Sequence, residues 1–250
     1  MTTKPELRER ARIVLWGIAI IGAVQAAGAY LAQRHAAAVV VQLVIAEFGT
    51  GRLGVAWSDP LAPAPTGTMM TKRALRGAAF GAAAAVTLVG ASVLAHAATL
   101  DVGMFGVAPI LVGLVSCAAT GARDELVLRG LVLRALGPRA SMQSKLAVCA
   151  MAGVAWRFGI EPGASWSALA FSGLAAAALG ALWLRDRGAW LAVGANAAFT
   201  FVTVTLAQGS LLDVRNKAGL DATSVAVVCA VFFAASAIAY AGRKDVPSAR

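Results

Sequence analysis

The chain has 250 residues, of which 59% are hydrophobic and 14% charged, and its mean hydropathy is +0.75. A soluble domain usually carries about 25% charged residues, so this composition excludes an ordinary soluble fold. The net charge of +10 would suggest nucleic acid binding in a soluble protein. Here the basic residues cluster at the ends of apolar blocks, as membrane topology requires, and we expect no nucleic acid partner.

The apolar blocks are roughly 18–22 residues long, the length of helix that crosses a ~30 Å hydrocarbon layer. They lack the alternation of a barrel strand, and backbone groups in lipid must be paired internally, so they predict α-helices. We therefore predict an all-α polytopic transmembrane bundle of about eight helices. A single integral membrane domain would cover residues 1–250 and contact the lipid bilayer directly. The predicted helices are residues 12–32, 36–48, 74–98, 104–121, 141–158, 165–184, 189–208 and 221–241.

Three segments between or within these blocks differ from plain spans. Residues 36–48 are short for a span and could be re-entrant or interfacial. Residues 49–73 contain three prolines and are predicted to form an irregular loop. Residues 123–139 are amphipathic and charged, and they are predicted to form a separate helix that stops at Gly137-Pro138.

The distribution of basic residues predicts the topology. With a cytoplasmic amino terminus, only Arg34, Arg157, Arg215 and Lys217 fall in outside segments, and the other Lys and Arg residues fall inside. This bias follows the positive-inside rule, and removing any single span would invert the later segments and spoil it. The first block has full spanning length and no cleavage site, so it is predicted to be retained. We expect a multi-pass inner (plasma) membrane protein with both termini cytoplasmic.

Cysteine and histidine give no sign of a metal or cofactor site. Cys117, Cys149 and Cys229 each lie in a different apolar block without metal-ligand spacing, so they are interpreted as small core residues. The two histidines, His35 and His96, lie at the outer ends of the first hairpin and the third span. We therefore predict neither a metal nor a cofactor.

One segment places ionisable residues in an apolar context. Asp124 and Glu125 are adjacent carboxylates, and Arg129 follows four residues after Glu125. Ionisable groups at membrane depth cost ~2.5–3.5 kcal/mol each, which favours a functional role. Acidic residues in a first helical turn and an i,i+4 Glu–Arg pair also stabilise a helix without any function. The residues alone leave both interpretations open.

The order Asp124-Glu125-Leu-Val-Leu-Arg129-Gly130 resembles the E-E-x-x-x-R-G motif of the CPBP family. These proteins are the CAAX-protease and bacteriocin-processing (Abi) intramembrane proteases. Their two further motifs are F-x-x-x-H and H-x-x-x-N/D/S, and the resemblance covers a core of about residues 100–205. It implies a bundle of roughly eight helices in which the first glutamate activates a water, while histidines and asparagine hold that water and stabilise the oxyanion.

The chain departs from the family at each motif. Asp124 replaces the first glutamate, Arg157 stands at the histidine of the second motif, and Gly153 stands at its phenylalanine. In the third motif Asn196 replaces histidine and Thr200 replaces asparagine. General acid–base catalysis needs a group that gains and loses a proton near neutral pH, and neither guanidinium nor amide does so. The resemblance therefore implies a site retained in position but without its proton chemistry.

These substitutions predict a static polar network. We expect Asp124 and Arg157 to form an ion pair, and Asn196 and Thr200 to hydrogen-bond across the same cavity. The predicted function is a CAAX-protease-like intramembrane protein that binds membrane-anchored peptide or protein substrates, or a partner protease, in processing, sorting or immunity. Its catalysis is predicted to be impaired.

Two alternatives stay open at this point. One is an active divergent endopeptidase that uses Glu125 or Asp124 as base, with Arg157 and Asn196 as oxyanion donors. The other is a small transporter or channel subunit. The chain lacks the Gly/Pro-broken helices in matching halves that are typical of transporters, which disfavours this second alternative.

Overall fold

The computed structural model describes residues 4–58, 66–103, 106–207, 211–216 and 220–242. The helices are α1 (Lys4–Tyr30), α2 (His35–Arg52), α3 (Gly67–Leu94), α4 (Val107–Asp124), α5 (Leu131–Leu136), α6 (Met142–Ile160), α7 (Trp166–Asp186), α8 (Trp190–Thr200) and α9 (Leu220–Gly242). Two π-helical segments, Glu125–Gly130 and Phe201–Leu206, follow α4 and α8 without a break. Because the first of them joins α4 to α5, the described residues form eight continuous helices. The predicted all-α helical membrane bundle is confirmed.

Within the described ranges, four helices are long and apolar enough to cross a membrane by themselves. These four are Leu7–Tyr30, Gly67–Leu94, Trp166–Asp186 and Ser224–Gly242. Large apolar side chains cover much of the outer surface, such as Leu15 and Trp16 on α1 and Phe232 on α9. A soluble protein would bury such side chains, whereas a bilayer solvates them.

The region after the first hairpin differs from its prediction. The second helix is not short, because it runs through His35–Arg52 and packs against both α1 and α4. The loop predicted over 49–73 is correspondingly narrower, since α3 begins at Gly67 behind the Thr66 side chain, which accepts a hydrogen bond from the Met69 amide at 3.3 Å. This is an ordinary N-cap. The prolines of that prediction lie outside the described residues.

The charged segment 123–139 is not a separate helix, and that prediction is wrong. It continues α4 through the π-helical segment and α5, because its Leu and Val residues extend the apolar helix and its charges find partners nearby. The predicted stop is correct: α5 ends at Leu136, and Gly137 adopts a φ of 72°. Asp124 and Glu125 therefore lie within a long helix and not at its inner end.

A two-stranded antiparallel sheet was not predicted. Strand β1 (Ala98–Val102) pairs with β2 (Leu212–Asn216), with Leu100 opposite Val214. It connects the end of the bundle where α3 ends and α4 begins with the segment that precedes α9. Strands of five residues are too short to produce a distinct periodicity beside long apolar helices.

Small residues allow the helices at the centre of the bundle to approach closely. Gly77 and Gly81 of α3 face the backbone of α8, and Gly173 and Gly180 of α7 face α6. The helix α8 packs against α3, α4 and α7, which places it inside the bundle. Asn196 on α8 is thereby brought to the interior.

Candidate functional site

A cavity of about 320 Å³ lies between α3, α6, α7, α8, α9 and the end of α4. Its polar lining includes Asp124, Arg129, Arg157, Ser172, Asn196 and Thr200. One wall is aromatic, with Phe199 beside both Phe171 and Phe233 at ring-centroid distances of 6.1 and 6.4 Å. The structure thus brings five of the six predicted site residues to one cavity.

The sixth predicted residue, Glu125, lies directly behind this lining and is fully buried. Its Oε1 accepts a hydrogen bond from Asn196 Nδ2 at 3.1 Å and lies 3.4 Å from Arg129 Nη1. Its other carboxylate oxygen, Oε2, is buried without a hydrogen-bond partner among the described residues. The carboxylate is therefore held by a guanidinium of its own helix and an amide of α8.

The backbone around Glu125 is π-helical from Glu125 to Gly130, and every residue of this segment is buried. Segments of π-helix are rare and occur often at functional sites, because the wider turn changes where side chains point. Gly130 permits close packing here, since a Cβ at that position would overlap the Val55 side chain. The second π-helical segment begins directly after Thr200, so both adjoin the cavity.

Asp124 is held by a residue that the sequence did not single out. Arg123 contacts its Oδ1 through Nη2 at 2.6 Å and through Nε at 2.7 Å. Arg123 also donates to the Gln42 side chain of α2 and lies 6.0 Å from the Trp156 ring. Gln42 in turn donates to the Val24 carbonyl oxygen at 3.0 Å. A lone amide in an apolar helix is the signal that could have revealed this network.

The predicted ion pair between Asp124 and Arg157 is wrong. Arg157 pairs instead with Glu161, which directly follows the end of α6, and Asp124 pairs with its chain neighbour Arg123. Both pairs are local, so each charge is compensated without an ion pair between the two helices. Asp124 and Arg157 still line one cavity, because Asp124 lies within the long helix and not at its end.

Asn196 and Thr200 lie one turn apart on α8 and both face the cavity. Thr200 Oγ1 donates to Asn196 Oδ1 at 3.5 Å, while Asn196 Nδ2 donates to Glu125. Gly121 of α4 lies close to Ala197, which allows α4 and α8 to approach at this level. The result is a chain of hydrogen bonds from Thr200 through Asn196 to the buried carboxylate.

The described lining of the cavity contains one cysteine and no histidine. His96 lies just beyond the end of α3. Cys117 and Cys149 are buried, while Cys229 of α9 lines the cavity. Within the described part of the chain, no three His, Cys, Asp or Glu residues are grouped so that they could hold a metal ion.

The fold and the site define a helical membrane protein with a buried carboxylate beside an interior cavity. Residues 106–202 match the family model described as type II CAAX prenyl endopeptidase Rce1-like, and this range includes all six predicted site residues. Over these residues the match supports the CPBP assignment, and together with the apolar helices it supports a CAAX-protease-like intramembrane protein. Comparisons with curated proteins and with solved structures found no match.

Proposed function

We propose that this protein binds a membrane-anchored peptide or protein segment in its cavity and does not cleave it. The observation that carries the proposal is the state of Glu125, which is fully buried, paired with Arg129 and hydrogen-bonded to Asn196. A base that activates water must contact that water and must be free to take its proton. Glu125 is instead held in a static polar network.

The other lining residues do not supply the missing proton transfer. Arg157 stays protonated, and Asn196 does not titrate. A cavity with these groups can still donate hydrogen bonds to a carbonyl or carboxylate. Its chemistry favours recognition of a peptide over hydrolysis.

The shape of the cavity supports the same role. A volume of about 320 Å³ holds a few side chains, and the aromatic wall provides apolar contact area. In lipid, an unwound peptide segment needs partners for its backbone groups, which the polar lining offers. The bound segment would come from a membrane-anchored substrate or from a partner protease, in processing, sorting or immunity. The cytoplasmic termini and inner-membrane location predicted from the basic residues belong to this proposal.

A second function has one observation in its favour. Asp124 lines the open cavity together with Arg157 and Asn196, so a carboxylate and two donors face one space. A divergent endopeptidase could use Asp124 or Glu125 as base and the two donors for the oxyanion. The two candidates predict opposite results in a cleavage assay.

The test uses the protein in proteoliposomes with a C-terminally anchored or prenylated peptide, and it compares wild type with Glu125→Ala and Asp124→Ala. We expect no product from any of the three proteins over the background of empty liposomes. Product from wild type would overturn the proposal, and its disappearance in a carboxylate variant that is still folded by thermal unfolding would establish the endopeptidase.

Binding is measured on the same samples by protection of Cys229 from a membrane-permeant maleimide, in a variant whose other two cysteines are alanine. We expect the peptide to slow labelling of Cys229, because this residue lines the cavity. Ala84→Phe places a ring in the cavity and should abolish the protection. Ala83→Phe, on the exposed face of the same helix and outside the lining, is the matched control.

A further inference from the structure

A groove of about 400 Å³ lies between α1 and α6 on the outer side of the bundle. Both helices pack against the segment Glu125–Leu136, whose Leu and Val side chains form the floor of the groove. On the α1 side, Val14 and Ile18 are more than half exposed. The described lining residues are apolar or aromatic, apart from Gln25. In a bilayer, such a groove faces lipid and can be reached from it.

The groove adjoins the functional cavity. Leu128 and Trp156 line both spaces, Leu128 from the floor of the groove and Trp156 from α6. The Trp156 ring lies 6.0 Å from the guanidinium of Arg123, which also holds Asp124 of the cavity. A segment that moves from the bilayer into the cavity along this groove would pass between Leu128 and Trp156.

Gln25 indicates the chemistry of the occupant. It lies inside the apolar span Leu7–Tyr30, and its side chain is exposed in the groove without a hydrogen-bond partner among the described residues. The carbonyl oxygen of the preceding residue, Val24, already accepts from Gln42. An amide at this depth gains from a second helix that offers a polar side chain or a backbone group, whereas a hydrocarbon chain offers it nothing.

The α6 wall of the groove suits a helix for a second reason. Its lining residues Ala152, Ala155 and Gly159 are small, which allows the backbone of another helix to come close. A row of side chains on that helix would fill the space above the floor, as ridges of one helix pack into grooves of another. Because α1 and α6 run in the same direction, Gln25 and Gly159 lie toward the same end of the groove.

We propose that the groove docks one transmembrane helix of the protein whose segment binds in the cavity. A polar group of that helix hydrogen-bonds to Gln25, and the chain beyond it enters the cavity between Leu128 and Trp156. This role rests on the proposed function of the cavity and names the class of its partner. The partner is a protein anchored in the membrane by a helix, not by a lipid chain.

Docking is tested by photo-cross-linking with the whole protein in proteoliposomes. The probe is a synthetic leucine–alanine helix of about 20 residues with one glutamine, followed by a short polar tail. Benzoylphenylalanine replaces either Ile18, which lines the groove, or Leu15, which is exposed on the same helix but outside the lining. We expect a several-fold higher yield of cross-linked peptide from position 18. Equal yields from the two positions, or a cross-link between two copies of this chain at position 18 without peptide, would overturn the proposal.

The amide is tested by Gln25→Leu, with protection of Cys229 from maleimide as the readout of binding. We expect the affinity for the helix-anchored peptide to fall about three-fold to ten-fold, as the loss of one interhelical hydrogen bond would give. Gln33→Leu makes the same change at an exposed position outside the groove and should leave the affinity unchanged. A second probe carries the same tail on a prenyl chain and should bind more weakly. Equal affinity of the two probes, or equal losses in the two variants, would mean that the groove does not select a helix.

A second pair of variants tests the groove without changing its amide. Ala155→Phe fills the groove, whereas Ala147→Phe places the same ring on an exposed position of α6 outside it. We expect only Ala155→Phe to reduce both the cross-link from position 18 and the protection of Cys229, with melting temperatures of both variants near that of wild type. Protection of Cys229 that persists in Ala155→Phe would overturn docking in the groove and leave the proposed function intact. A cross-link from position 18 without any protection of Cys229 would contradict the proposed function of the cavity and leave the docking of a helix supported.

Discussion

Two Glu–Arg pairs with the same i,i+4 spacing have different environments in this protein. The side chains of Glu125 and Arg129 are 0% and 6% exposed, whereas those of Glu161 and Arg157 are 53% and 41% exposed. A buried pair cannot lose one partner without leaving an uncompensated charge, while an exposed partner is solvated by water or lipid head groups. The stability contributions of a buried and an exposed Glu–Arg pair can therefore be compared within one protein.

We predict that Glu125→Ala destabilises the protein by about 3–5 kcal/mol, because Arg129 would stay buried without its counter-ion. Glu161→Ala should cost less than about 1 kcal/mol, as an exposed pair contributes little. Reversible unfolding in mixed micelles measures both free energies of unfolding. Combining Glu125→Ala with Arg129→Met should recover a large part of the loss, and similar costs for the two single variants would contradict the prediction.

The sequence identified the residues of the site better than it identified their partners. The first motif and the frame of the third indicated Glu125 and Asn196, which are hydrogen-bonded in the structure. Arg123 was missed as the partner of Asp124, because the paired-glutamate motif begins only after it. The hydrogen-bond and ion-pair partners of a side chain depend on how far it reaches and on how deep its residue lies in the bundle. The spacing of residues in the sequence reveals neither.

Close approach of helix backbones fixes the position of α8 against α3. A Cβ at Gly81 would overlap the carbonyl oxygen of Ala195, and one at Gly77 would overlap that of Leu191. Ala195 directly precedes Asn196, so this contact also determines where the amide meets Glu125. In lipid such tight packing replaces the hydrophobic effect as the source of helix association.

We predict that Gly81→Ala lowers stability by about 1–3 kcal/mol, because α3 and α8 would have to separate. It should also weaken the Asn196–Glu125 hydrogen bond. Gly90→Ala on the same helix is the control, since nothing lies within 4 Å of a Cβ at that position. There a modest gain is expected from the better helix former. Thermal unfolding in detergent compares the two, and a larger loss in Gly90→Ala would contradict the packing argument.

Hydropathy predicted which blocks are helical, but it did not predict where the fourth helix ends or that part of it is π-helical. All eight blocks are helical over most of their length, because an apolar stretch in lipid has few alternatives. The continuation of the fourth helix through Glu125–Gly130 was not predicted, since charged residues lower the hydropathy while the helix goes on. An α-helix and a π-helix differ in the register of their backbone hydrogen bonds, and side-chain polarity does not reveal that register.

At the scale of the molecule, ionic contacts join helix ends on one side of the bundle. Arg73 at the start of α3 contacts Asp186 at the end of α7 at 3.1 Å, and Arg134 of α5 contacts Glu9 of α1 at 3.2 Å. The short β-sheet lies at the opposite end, where α3 ends and α4 begins. Consecutive helices therefore alternate in direction along the chain.

The orientation of this bundle in the membrane is the last prediction, and it follows from the basic residues at the end that holds Arg73 and Arg134. In a variant without native cysteines, we expect Thr68→Cys and Gln143→Cys to react with a membrane-impermeant maleimide only after permeabilisation of spheroplasts. Gln33→Cys and Gly163→Cys, exposed at the other end, should react in intact spheroplasts. The reverse pattern would mean an inverted protein. Labelling of one position but not the other at the same end would mean an odd number of crossings between them, which the alternating helix directions forbid.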